Sequence, residues 1–203
     1  MSWKVADFYR KEAGRLGYPA RSVFKLQEIH ERFSVLKQGR SVLDLGCAPG
    51  SWMLFSSKLI GKHGRLVGVD ISDIKASLMQ EVEKQCHVKL LRANIMTWEA
   101  PEVLRDRFDV VLSDVAPRTM GVKALDGERS FVLSSRALDL SYLLLNKEKR
   151  ASCAVIKIFQ SELSPVFEQQ AKGLFQQVHM FTPKACRKQS TETYLIASGP
   201  VGL

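Results

Sequence analysis

The chain has 203 residues, enough for one sizeable domain and short for two. Its apolar fraction of 45% beside 25% charged residues is that of a soluble globular protein, and runs such as Val110-Val111-Leu112 are far too short to cross a bilayer. The net charge of +9 fits either a basic surface kept for solubility or a polyanionic partner, most simply nucleic acid.

The cations begin early. Residues 1–40 hold nine Lys or Arg against four acids. The first fourteen residues have no apolar core and already contain Asp7 and Glu12, unlike an export signal, so a cytoplasmic protein is expected. Within residues 20–33, Val23, Leu26, Ile29 and Phe33 recur at helical spacing and are expected to face a sheet. Arg21, Lys25, Glu28 and Arg32 share the opposite face, which by spacing alone reads as a solvated charge stripe. Residues 1–38 thus form a helical preface.

Beyond it, short β-branched runs alternate with helical ones. Strands are expected at residues 41–45, 65–69, 88–92, 108–113, 151–159, 175–181 and 193–197. Helical spacing recurs at Ile74, Leu78 and Val82, and again at Phe131, Ser135, Leu138, Tyr142 and Leu145. This alternation predicts an α/β fold: about seven strands in a mostly parallel sheet, with helices on both faces. The last two strands lack room for a crossover helix, so one of them should run antiparallel at or near an edge. No repeat, low-complexity tract or linker divides the chain. Its four cysteines (47, 86, 153 and 186) form no C-x-x-C pair, which argues for reduced thiols and against a metal site.

The first strand runs into Asp44-Leu45-Gly46-Cys47-Ala48-Pro49-Gly50-Ser51-Trp52. In a doubly wound sheet the ligand crevice lies beyond the carboxyl ends of the strands, where this turn sits. Its glycines permit close backbone approach, and helix N–H groups follow Gly50. Asp70, ending the second strand, is placed to accept from both ribose hydroxyls of a nucleoside. The dehydrogenase pattern G-x-G-x-x-G is absent. An acid at Asp44 also suits the sulfonium of S-adenosylmethionine (SAM) better than a pyrophosphate. SAM is therefore the favoured cofactor. The strand "CAVIKIFQ" adds a puzzle, since Lys157 lies inside an otherwise apolar run.

Phe24-Lys25-Leu26, "DLGCAPGSW", Ser113-Asp114-Val115-Ala116-Pro117, "VIKIFQ" and Ser190-Thr191-Glu192-Thr193-Tyr194 occur in this order. The order and spacing resemble the FtsJ/RrmJ family of SAM-dependent RNA ribose 2′-O-methyltransferases, from about Tyr9 to Gly199. The resemblance implies a Rossmann-like SAM methyltransferase fold and a catalytic tetrad of Lys25, Asp114, Lys157 and Glu192. It also implies that Gly50 and Trp52 line the SAM site with Gly46 and Pro49 of the same turn. Asp70 would hold the ribose, Asn94 would lie by the adenine, and Asp114 would border the methionine end. Asn94 stands where the family commonly has Asp, and Arg118-Thr119 where better-known members carry Asn. An Asn carbonyl still accepts a hydrogen bond, so altered affinity rather than lost binding is expected.

In-line methyl transfer to a 2′-hydroxyl needs the hydroxyl positioned and its proton accepted. Lys157 is the candidate for both tasks, with Lys25, Asp114 and Glu192 fixing its geometry. RNA would lie across the basic preface and the Lys184/Arg187/Lys188 cluster, held through phosphates. The resemblance implies large-subunit ribosomal RNA, at a uridine, as the substrate; a monomer that needs neither DNA nor membrane is expected. A tRNA or mRNA-cap 2′-O-methyltransferase and a non-catalytic ribosome-assembly factor remain the alternatives, with a small-molecule methyltransferase third.

Overall fold

The structure, a computed structural model, describes residues 2–105, 107–117, 123–187 and 190–202. Arg118, Thr119 and Lys188 lie outside the described residues. The strands are β1 (Ser41–Leu45), β2 (Arg65–Asp70), β3 (His87–Arg92), β4 (Val110–Ser113), β5 (Cys153–Phe159), β6 (Phe175–Phe181) and β7 (Glu192–Pro200). They make one sheet in the order β3-β2-β1-β4-β5-β7-β6. The pairs among β1 to β5 are parallel, and β7 runs antiparallel between β5 and β6. The short link from β6 to β7 allows only an antiparallel pairing, which is why the reversed strand lies next to the edge.

Burial follows the order. The central strands β1, β4 and β5 are buried along almost their whole length, whereas edge strands β3 and β6 alternate or lie open. Helices α2 (Val23–Phe33), α3 (Ser51–Ile60) and α4 (Ala76–Glu83) pack Leu26, Ile29, Met53 and Val82 into the core on one face. Helices α5 (Lys123–Leu144) and α6 (Ser164–Leu174) pack Leu138, Leu144 and Phe167 into a second core on the other. Helix α1 (Ser2–Arg15) leans on α2. No helix among the described residues is long and apolar enough to cross a membrane.

Element boundaries differ from the sequence reading where side chains compete with the ladder. The fourth strand starts at Val110, not at residue 108, because Phe108 makes only an isolated bridge to Leu145 and the Asp109 carboxylate accepts the Ser41 N–H at 2.9 Å. The fifth starts at Cys153 after a turn closed by Ser152 N–H to Lys149. The last extends to Pro200 because it is paired on both sides. The second helix starts at Val23, and the Ser22 carbonyl before it accepts both the Lys25 N–H at 3.1 Å and the Trp52 indole N–H at 2.9 Å.

Strand order reverses between β1 and β4. Chain crossing away from β1 on both sides opens a crevice at the carboxyl ends of these two strands.

Candidate active site

The turn after β1 folds as it does because of its glycines. Gly46 has φ +76°, and a Cβ there would lie 2.3 Å from Val115 Cγ1 in the loop after β4. Gly50 has φ +104°, and a Cβ would strike Leu78 of α4 at 2.3 Å. The Ala48–Pro49 peptide is cis. Between this turn, the end of β2 and the loop after β4 lies a crevice of about 320 Å³. Gly46, Ala48, Asp70, Asn94, Asp114 and Leu133 are among its walls.

Three carboxylates give the crevice its electrostatics. Asp70 Oδ2 accepts the Ala48 N–H at 2.9 Å and Oδ1 the Ser72 N–H at 2.8 Å, which fixes the side chain and leaves one lone pair on each oxygen. Asp44 is 1% exposed, and neither of its oxygens has a hydrogen-bond partner among the described residues. Burial, then the charges of Asp114 and Asp70, hold its carboxyl well above the usual carboxylate range. An orphaned acid beneath a crevice edged by two more acids is a cation receptor by its chemistry, so the site fits a ligand bearing a sulfonium and an ammonium. Asn94 Oδ1 accepts the Met96 N–H at 3.1 Å, leaving its amide N–H₂ as the free donor.

Behind the crevice the four tetrad residues meet in one buried network. Lys157 Nζ lies 2.9 Å from Asp114 Oδ1 and 2.6 Å from the Asp114 backbone oxygen. Lys25 Nζ lies 2.5 Å from Glu192 Oε1. The Tyr194 hydroxyl joins the two ion pairs, 2.7 Å from Asp114 Oδ1 and 2.6 Å from Glu192 Oε1. Lys25, Lys157 and Glu192 are 8%, 7% and 7% exposed. Two cations balance two anions, which is what makes such burial tolerable. Burial works against the charge of Lys25, but Asp114 and Glu192 outweigh it and hold the ammonium above its ordinary range. Burial likewise opposes ionisation of Asp114, yet Lys157, Lys25 and the Tyr194 hydroxyl keep its carboxyl below the usual value.

Placement of the sequence candidates is uneven. Gly46, Asp70, Asn94 and Asp114 line the crevice, and Asp44 lies beneath it. Pro49, Gly50 and Trp52 are not among its walls. Trp52 is buried, donates its indole N–H to the Ser22 carbonyl at 2.9 Å and packs its ring 5.9 Å from that of Tyr194. Gly50 meets α4, not open space. The solvated stripe on α2 is corrected: Lys25 is buried in the network, and Glu28 accepts backbone N–H groups from the β6–β7 connection. Tyr194 went unread as a site residue. Its two-residue spacing from Glu192 puts both on one strand face, and its register partner on β5 is Lys157. Both signals need the strand pairing to be known.

The family comparison bears directly on this geometry. The profile of the FtsJ-like methyltransferases matches residues 18–200. The chain belongs to the FtsJ-like methyltransferase family. It is 42% identical over 195 residues to the ribosomal RNA large subunit methyltransferase E of Desulfosudis oleivorans, covering 95% of this chain and 90% of that protein. A Bdellovibrio bacteriovorus relative of the same name is 34% identical and covers 97% of both chains. Among solved structures, a ribosomal RNA methyltransferase from Plasmodium falciparum superposes with a TM-score of 0.74 at 23% identity, covering 92% of this chain and all of that one, which supports the fold. Family membership makes the protein a methyltransferase.

Proposed function

We propose that the protein methylates a ribose 2′-hydroxyl of large-subunit ribosomal RNA, at a uridine, with SAM as donor. The observation that carries this reading is that Asp114 belongs to both halves of the site: it walls the cation-receptive crevice and holds Lys157. A donor in the crevice and an acceptor held by Lys157 would therefore meet at one residue. The names of the relatives support ribosomal RNA as the polymer.

In this reading Asp44, Asp70 and Asp114 hold the cofactor by charge and hydrogen bonding, Gly46 lets it approach the backbone, and Asn94 meets the adenine edge. Pro49, Gly50 and Trp52 shape the turn and its backing. SAM, when bound, supplies an electrophilic methyl carbon on a sulfonium leaving group. Lys157 places the hydroxyl oxygen in line with that carbon and takes its proton as the C–O bond forms. Lys157 rests as the cation of an ion pair, so acting as base requires that it first give up a proton to solvent; the two contacts from Nζ to Asp114 would then hold the remaining N–H bonds and leave a lone pair for the hydroxyl. Lys25 stays an ammonium and, with Glu192, anchors the far side of the network. Exposed Arg10, Lys11, Arg32, Lys184 and Arg187 supply phosphate contacts for the RNA. The enzyme would act in the cytoplasm as a monomer, without DNA or membrane.

The test is to incubate the protein and methyl-labelled SAM with separate rRNA, tRNA and ribosomal-subunit fractions, then map the label. Label on a 2′-oxygen of large-subunit rRNA supports the proposal. Label only on tRNA or a cap moves the substrate, and no label on any RNA overturns the enzymatic reading.

A further inference from the structure

The β6–β7 connection carries Lys184 and Arg187 and ends at Glu192, so its placement matters to both RNA and network. It begins with a turn in which the Cys186 N–H donates to the Pro183 carbonyl at 3.0 Å. That turn presents two successive N–H groups, from Lys184 and Ala185, to one carboxylate on α2. Glu28 Oε2 accepts the first at 2.7 Å and Oε1 the second at 2.7 Å. Arg21, in the turn just before α2, donates to the Ala185 carbonyl at 3.4 Å. Lys25 lies between these two in sequence and holds the far end of the connection through Glu192. Helix α2 thus grips both ends of the segment. Hydrogen bonds to an ionised carboxylate are stronger and shorter than neutral ones, and paired backbone N–H groups are a natural anion cradle.

We propose that Glu28 is a positioning residue for RNA. By holding the Lys184–Ala185 backbone it fixes the turn so that the exposed Lys184 and Arg187 stand beside the buried Lys25–Glu192 pair, ready for phosphates flanking the target nucleotide. Lys184 and Arg187 make no ion pair among the described residues, so their charge is available. A brace serving only the fold would have no reason to act on the cations. The inference rests on the RNA reading above.

Three proteins test it: wild type, Glu28→Ala and Glu28→Gln. Each is assayed for methyl transfer to large-subunit rRNA, for SAM affinity, for melting temperature and for the salt dependence of RNA binding. For Glu28→Ala the expected result is KM for RNA raised about five- to tenfold, with kcat within about twofold and SAM affinity unchanged. The slope of log affinity against log salt should become shallower by about one to two, because Lys184 and Arg187 lose their phosphates. Glu28→Gln, whose amide offers a single acceptor oxygen, should fall between wild type and Glu28→Ala. Lys184→Ala with Arg187→Ala should flatten the slope in wild type and add little on top of Glu28→Ala. If Glu28→Ala lowers the melting temperature but leaves KM for RNA and the salt slope at wild-type values, Glu28 is only a structural brace. A fall in kcat at unchanged KM also overturns the proposal, since Glu28 would then act through the Lys25–Glu192 pair. Absence of transfer or RNA binding by the wild type itself marks failure of the RNA reading, and takes this inference with it.

Discussion

Tyr194 has a single hydroxyl proton and two carboxylate oxygens within 2.7 Å of its oxygen. It can donate to one of them at a time, so it couples the Lys157–Asp114 and Lys25–Glu192 pairs. Burial and the two acids push the phenol well above its ordinary range, so the proton stays on the residue at any working pH. Tyr194→Phe removes that proton and leaves Asp114 and Glu192 with their lysine partners but no donor shared between them. The expected outcome is a drop in kcat of at least about tenfold, with a stability loss of about 1–3 kcal/mol by denaturant unfolding. Asp44 poses the opposite case, a charge that burial disfavours until a cation arrives. Asp44→Asn relieves its repulsion with Asp70 and Asp114. It should raise the melting temperature of the ligand-free protein near neutral pH while weakening SAM binding, read together by thermal shift and calorimetry. A variant that is less stable yet binds SAM normally would contradict this account of Asp44.

At the scale of elements, the two ion pairs are ties between segments far apart in sequence. Lys157–Asp114 joins β5 to the end of β4, and Lys25–Glu192 joins α2 to β7. Their pH dependence has a definite sign. Asp114 has a folded-state pKa below its unfolded one, so its contribution is present above the unfolded value of about 4 and is lost as pH falls through the folded value. Lys25 has a raised pKa, so its contribution is present below about 10 and is lost as pH rises through the folded value. Melting temperature against pH should therefore fall at both extremes. Asp114→Asn should flatten the acid limb and Lys25→Met the alkaline one, although each variant is less stable throughout because a buried partner is left alone.

The same elements explain what the sequence made legible. Strand number and the reversed strand near the edge follow from hydrophobic period and loop length, which are local. The turn after β1 is legible because Asp44, Gly46 and Gly50 stand within one short stretch. Lys25 misleads because helical periodicity reports which residues share a face, not what another element brings to that face. Glu192 and the 184–185 turn arrive there from more than 150 residues away. Tyr194 hides for a related reason, since its role depends on facing Lys157 across β5 and β7.

At the scale of the molecule, the basic residues of α1, α2 and the β6–β7 connection surround a lysine–carboxylate network whose own charges cancel. Under the proposed function the net charge of +9 would serve approach and phosphate contact, and the chemistry would rest on the buried network in which two cations balance two anions. The central claim is that Lys157 both orients the nucleophile and takes its proton. The direct measurement is single-turnover methyl transfer to large-subunit rRNA by Lys157→Met, with SAM affinity measured in parallel. The account predicts a rate reduced by about 10³-fold or more at unchanged SAM affinity, the scale expected when a general base and its positioning are lost together. Wild-type turnover in that variant, with SAM bound normally, would contradict it.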